Sequence, residues 1–474
     1  MYRIKRKLLA LALALVMCAS LIGAAFLLDD SGSGSLTADS DSGLSLKEDN
    51  SLKLADTSSA FDSSIINIQP EVTGKQWLII SLDGKSLSDR SGNTPVNDYA
   101  ETIDGQRAER ELRKEQQNFL SELSSAGIDY EYKYGYTLLT NAVAINVDVK
   151  YADRIADTDG VTAVDISEYY YAPKDTEVSN NATVWGTGIY KVPDEISENY
   201  NGSGIVAAVL DTGLDASHPA FTTNPSNKEA LMTKEQVQER IFEGDSSSGL
   251  VSLDGEASVD DVYYSEKVPF AYDYADKDTD VYPAYSAHGT HVAGIIAGTE
   301  IDEPITDIDG NPILDSNGNE MTFRGVAPEA QLAICKVFSD QEDSGVIGGA
   351  EEMDILAALE DCVKLKVDVI NMSLGSSAGF STGDNEHMQK VYDAVREAGI
   401  SLIVAASNDY SSSYGSTYGT NLTSNPDSAT VGSPSTYPSA LSVASINGQE
   451  SSYIKTEVNG EDKFLYFTEA SDGN

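Results

Sequence analysis

The segment GIVAAVLDTG, residues 204–213, decides the fold. Its apolar residues run on without polar alternation, as in a strand buried on both faces. Four later segments repeat the pattern: QLAICKVF (331–338), VDVINMSL (367–374), SLIVAAS (401–407) and LSVASIN (441–447). Helical spacing lies between several of them. Met353, Leu356, Leu359 and Val363 recur at helical intervals, and residues 392–398 end a second helix with Gly399 at its stop. Strands alternating with helices predict an α/β fold with a doubly wound, mostly parallel sheet. Ligands of such sheets bind beyond the carboxyl ends of the strands.

Upstream the pattern differs. QWLIISL (76–82) reads as a strand, and residues 107–126 as a polar amphipathic helix with Leu112, Phe119, Leu120 and Leu123 as its apolar stripe. DYEYKYGY (129–136) alternates, which places Tyr130, Tyr132, Tyr134 and Tyr136 on one strand face. NAVAINV (141–147), a short helix over 149–156 and GVTAVDIS (160–167) complete the order strand, helix, strand, strand, helix, strand. That is the split βαβ arrangement of a small ferredoxin-like α+β domain. It carries no catalytic constellation of its own.

The N-terminus reads as an address. Arg3, Lys5, Arg6 and Lys7 precede an uncharged run over 8–28, and Gly23, Ala24 and Ala25 offer a cleavage site. Residues 1–28 are therefore expected to be a signal peptide, or an anchor if uncut, and the protein secreted or at the cell surface. Residues 29–75, rich in Ser, Asp and Gly, read as a disordered linker. The expected divisions after it are a small domain over 76–172 and an incomplete α/β domain over 176–474.

Thirty-one Lys and Arg against 76 Asp and Glu leave a net charge of −45. Such a surface repels phosphate, so nucleic acid is excluded as a partner, and membrane contact is left to the signal or an uncleaved anchor. Of the three cysteines, none with metal-type spacing, Cys18 lies in the N-terminal apolar run, and Cys335 and Cys362, inside apolar segments, read as small hydrophobes.

Polar residues stand where the strands end. Asp211 closes the first run, Ser373, Leu374 and Gly375 follow the third, and Asn408 follows the fourth. His288 opens HGTHVAGIIAG (288–298), a helix small and apolar all round. A carboxylate, an imidazole and an amide on one rim meet the needs of acyl transfer. The carboxylate orients the imidazole, the imidazole takes a proton from a nucleophile, and the amide donates to the developing oxyanion. His218 reads as a structural residue near a turn, and His288 with His291 lacks a third metal ligand. GSSAG (375–379) matches a nucleophile elbow at Ser377, but the only later His, His387, follows with no suitable carboxylate between. DIDGNPILDSNGNE (307–320) leaves two readings open, an acidic hairpin insert or a calcium loop. Pro312 and Glu320 occupy the positions where a calcium loop needs Gly.

DTGLDASHPAF (211–221), HGTHVAG (288–294), RGVAPEAQL (324–332), NMSLG (371–375) and IVAASND (403–409) together resemble the subtilisin-like serine proteases. The likeness covers 184–447 and points to their cell-envelope branch; residues 76–172 resemble the family's inhibitory prodomain. The resemblance implies that Asp211 is the triad carboxylate, His288 the general base and Asn408 the oxyanion-hole side chain. It implies that Ser373, Leu374 and Gly375 pair with an extended substrate, and that Ala405, Ala406 and Ser407 line the specificity pocket. One position departs: the family usually has Gly before the oxyanion Asn, and Ser407 stands here. The implied partners are a protein or peptide substrate and the prodomain itself as intramolecular inhibitor, with YYYAPKD (169–175) through the cleft and self-cleavage near 172–183. No cofactor is required for the chemistry; structural calcium, common in the family, stays open, with its ligands unknown. The family's GTS nucleophile motif is absent from these residues. The chain is therefore expected to be an N-terminal portion whose Ser lies beyond Asn474. Alone it is expected to be inactive, and poorly soluble or partly unfolded for want of a core helix. The alternative is a non-catalytic secreted binding or decoy protein on the same scaffold.

Overall fold

Every described residue belongs to the second of two compact units, Met1–Pro70 and Glu71–Asn474. The computed structural model describes residues 73–171, 200–242, 249–253, 255, 257–304, 306, 310–314, 318, 320, 322–341, 349–376, 379, 386–408, 430–444, 453–458 and 461–466. The expected signal, the expected linker up to residue 72 and the self-cleavage segment fall outside them; Lys75, the last expected linker residue, opens the first strand.

Strands β1 (Lys75–Leu82), β2 (Tyr130–Tyr136), β3 (Ala142–Asp148) and β4 (Val161–Ile166) form an antiparallel sheet in the order β2-β3-β1-β4. Helix α1 (Ile103–Ser125) packs Phe119 and Leu123 against it, and a short α2 (Ala152–Ala156) leads into β4. α1 starts before the predicted residue 107 because Thr102 caps it, its Oγ1 accepting from the Gly105 N–H at 3.0 Å.

The tyrosine alternation is interrupted. A bulge shifts the β2–β3 register between Tyr132 and Tyr134. One extra residue sends the following side chains to the opposite face. Tyr132 is 43% exposed, whereas Tyr134 and Tyr136 are 2% and 0% exposed in the core on the far side.

After β5 (Tyr169–Tyr171) the chain builds the large sheet. β6 (Val206–Asp211), β7 (Phe270–Asp273), β10 (Gln331–Lys336), β12 (Val369–Met372), β13 (Ser401–Ala405) and β14 (Ala440–Val443) are all parallel, in the order β14-β13-β12-β6-β10-β7. Between them come α3 (His288–Ala297), the paired strands β8 (Ile301–Pro304) and β9 (Thr322–Phe323), and β11 (Gly349–Glu351). Helices α4 (Glu352–Leu365) and α5 (Glu386–Glu397) follow, and β15 (Tyr453–Val458) pairs with β16 (Glu461–Tyr466). This is the α/β architecture, a parallel sheet with helices and a small α+β region before it. The chain fills one side of β6 with β10 and β7, then the other with β12, β13 and β14, so the end of β6 is the switch point. One expectation needs correcting: LSVASIN is not buried on both faces. β14 is an edge strand, with Leu441 61% and Val443 48% exposed.

α4 is buried at every residue. Its apolar side joins the core of the large sheet, and the small sheet covers its polar side. The Tyr136 hydroxyl donates to the Met353 carbonyl at 2.7 Å, and Lys133 Nζ lies 2.6 Å from Asp354 Oδ1. The Glu360 carboxylate accepts from the N–H groups of Thr137, Leu138 and Leu139. Beyond β4, β5 pairs antiparallel with β11, Tyr170 opposite Ala350.

Candidate active site

β6 delivers Asp211 to the carboxyl edge of the sheet, in register with Lys336 of β10. Its carboxylate is buried; Oδ1 accepts from the Thr212 N–H at 2.7 Å and lies 2.8 Å from Nδ1 of His288. No described residue hydrogen-bonds its Oδ2. The His288 side chain is 21% exposed, so the imidazole bridges a buried carboxylate and the open rim.

Thr212 sets this approach. Its hydroxyl donates to the Ser286 carbonyl at 2.8 Å and accepts from the Gly289 N–H at 2.9 Å, which ties the end of β6 to the start of α3. Asp215 N–H donates to Thr290 Oγ1 at 2.9 Å, and Leu214 N–H to the Val281 carbonyl at 2.8 Å. Two glycines permit the contact. A Cβ on Gly289 would stand 2.3 Å from the Gly213 carbonyl oxygen, and one on Gly213, at φ 108°, the same distance from that of Val281.

Behind Asp211, Lys336 is enclosed by carboxylates: Nζ lies 2.5 Å from Asp273 Oδ2, 2.8 Å from Asp340 Oδ2 and 4.0 Å from Asp276 Oδ2. Burial opposes its charge, but Asp273 and Asp340 outweigh burial and raise its pKa. Asp340 in turn accepts from the N–H groups of Ala284 and Tyr285, just before His288. The sequence reading missed this network and the Thr212 contacts. The available signal for the first was a lysine closing an otherwise apolar strand.

The other expected residues gather on the same edge. Ser373, Leu374 and Gly375 follow β12, with Leu374 buried and Ser373 Oγ accepting from Asn371 Nδ2 at 3.0 Å. Ala405 ends β13; Ala406, Ser407 and an exposed Asn408 follow it. Residues 431–433 join the two groups: Ser376 N–H donates to the Ser433 carbonyl, Gly379 N–H to that of Val431, and Gly432 N–H to that of Ala406. Ser407 adopts φ 102°, a region that favours glycine.

The competing motifs are placed elsewhere. His218 Nδ1 accepts from the Ala220 N–H at 3.2 Å and caps a helical turn. Ser377 lies outside the described residues, and His387 Nδ1 faces Ser81 Oγ of the small sheet at 3.3 Å. In the acidic insert, Thr306 bridges Pro312 and Leu314 bridges Glu320, with Gly310 and Gly318 at positive φ. The carboxylates at 307, 309 and 315 lie outside the described residues, among which no cluster of three His, Cys, Asp or Glu is arranged to hold a metal. No helix among them is long and apolar enough to cross a membrane.

Comparison with known proteins gives a consistent family. The subtilase family model matches residues 202–470. The PIII-type proteinase of Lactococcus lactis subsp. cremoris (strain SK11) is 30% identical over 318 residues, 66% of this chain and 14% of that protein. The C5a peptidase of Streptococcus pyogenes is 29% identical over 266 residues, 54% of this chain and 19% of that protein. The chain thus spans well under a quarter of the length of either relative. Fervidolysin from Fervidobacterium pennivorans, a keratinolytic enzyme related to subtilisin, aligns over 83% of this chain and 45% of its own, at 17% identity and a TM-score of 0.45.

Proposed function

The chain belongs to the subtilase family, and on that premise we propose that it is the prodomain and part of the catalytic domain of an exported serine endopeptidase. The observation that carries this reading is the 2.8 Å contact between Asp211 Oδ1 and His288 Nδ1 at the switch point of the sheet. Asp211 accepts from the Nδ1–H of His288 and stabilises the imidazolium, leaving Nε2 to take the proton of an attacking serine and return it to the leaving amine. The family's GTS motif, which would carry that serine, does not occur in these 474 residues. Asn408 donates to the carbonyl oxygen as it becomes an oxyanion. Ser373, Leu374 and Gly375 pair with the substrate backbone, and Ala405, Ala406 and Ser407 shape the pocket beside it. None of these steps needs a cofactor.

Residues 76–172 act as the intramolecular inhibitor. In support, β5 already adds antiparallel to β11 as a peptide strand would, and the carboxylate of Glu360 fixes the turn after β2. A peptide competing for that edge displaces β5 first.

The test is hydrolysis of an unfolded protein substrate by the full-length gene product. Asp211→Asn and His288→Ala are each expected to lower kcat by about four orders of magnitude while leaving the melting temperature near that of the parent. Unchanged hydrolysis in both variants would overturn the assignment. A full-length product without any hydrolysis would favour the decoy reading.

A further inference from the structure

Cys335 lies on β10 and Cys362 on α4, the helix packed across that sheet face. Alternation along β10 turns Ala333, Cys335 and Val337 toward α4, and Leu332 and Ile334 toward the opposite layer. Both thiols are free and fully buried, and their sulfurs stand 3.7 Å apart. We propose that Cys335 and Cys362 are a disulfide-forming pair that ties α4 covalently to the central strand behind Asp211.

The sulfurs must approach from 3.7 Å to about 2.05 Å, a displacement shared between two side chains already facing each other. Closure removes two electrons and two protons from the dithiol. A small-molecule or protein disulfide accepts them by exchange: one thiolate opens the oxidant to a mixed disulfide, the second cysteine displaces its sulfur, and two thiols leave. Both thiols are 0% exposed, so an oxidant does not reach them once α4 has docked, and burial also raises the Cys335 thiol well above its ordinary pKa. Closure therefore belongs to folding, before the helix covers the strand. The loop so closed contains β11, and the bond would restrain the edge on which β5 lies.

Where closure happens rests on the export reading, but the chemistry is testable without it. The full chain is unfolded with reductant, then refolded in buffer dominated by either oxidised or reduced glutathione. Each sample is quenched in acid, denatured, alkylated with iodoacetamide and digested with trypsin. From the oxidised refold, peptides 325–336 and 337–364 are expected to be joined and unalkylated until reductant is added. From the reduced refold, each should carry one alkyl group. Alkylation of both cysteines after oxidative refolding would overturn the proposal, as would glutathione or Cys18 as the partner. The oxidised form should also melt several degrees above the reduced one, a difference that the double variant Cys335→Ser with Cys362→Ser abolishes. Should that variant not fold, the peptide map decides alone. A pair that closes in this assay in a protein shown not to be exported would leave the proposal standing and remove the export reading.

Discussion

Ser407 stands at φ 102°, immediately before Asn408. An L-residue with a side chain is strained there, by about 1 kcal/mol, and glycine is not. Ser407→Gly is therefore expected to raise stability by about 0.5–1 kcal/mol in denaturant titration; a loss of stability would mean that the hydroxymethyl group makes a compensating contact. Thr212 presents the opposite case, a side chain that cannot be spared. Thr212→Val keeps the volume but leaves the Ser286 carbonyl and the Gly289 N–H without their partner, at a cost of about 1–3 kcal/mol. Thr212→Ser should recover most of it, and an equal loss in both variants would show that the methyl group matters more than the hydroxyl. Asp211 and His288 were legible as a candidate pair because a carboxylate closing a buried apolar strand and an imidazole opening an apolar helix stand out from their neighbours. The Thr212 contacts were not, because they depend on how closely α3 approaches β6.

The element that links the two parts is α4. Burial pushes Glu352 up to about 8, with Glu168, Asp165 and Glu351 nearby adding to it. Burial also takes Asp354 and Glu360 to about 7, against the pull of Lys133 on the first and of the Leu139 and Thr137 N–H groups, Arg113 and Lys364 on the second. These values exceed those of exposed carboxylates, so the docked state binds more protons than the unfolded one. The stabilisation is complete below about pH 4.5 and declines as pH rises through 7 to 8. Hydrogen exchange at Thr137, Leu138 and Leu139 is accordingly expected to gain protection on going from pH 8.5 to 6, beyond the intrinsic pH effect. Glu352→Gln should flatten that gain, and an unchanged profile would exclude Glu352 as its source. The helix itself was readable from its apolar spacing. That its polar residues are also covered was not, because Asp354 and Glu360 meet the docked small sheet and Asp361 meets Leu250, Val251 and Tyr274, all distant in the chain.

Across the whole molecule, one apolar cluster runs from Ile79, Leu112 and Tyr136 of the small sheet region to Leu356, Leu359 and Val404 of the large one. Calorimetry of the full-length gene product should therefore show residues 73–171 melting together with the large sheet; a separate early transition for them would show that the shared cluster does not couple the two. His387 sits at this boundary against Ser81, and burial lowers its pKa to about 4, with Lys390 adding to the effect. Its contribution is therefore full above pH 6.5 and lost as pH falls toward 4. His387→Gln should reduce acid sensitivity over that window, as read from melting temperature against pH.

The sequence by itself determined the order of the main strands and helices, the α/β class, and the carboxylate and imidazole that the fold brings within 2.8 Å of each other. Apolar runs, helical spacing and residue chemistry are local properties, so a linear reading recovers them. Tertiary structure alone decided the bulge that turns Tyr134 and Tyr136 into the core shared with the large sheet, the edge position of β14 and the enclosure of Lys336. It also decided the approach of Cys335 to Cys362. Each depends on one inserted residue of register or on the distance between elements far apart in the chain, and neither quantity is written in composition or periodicity.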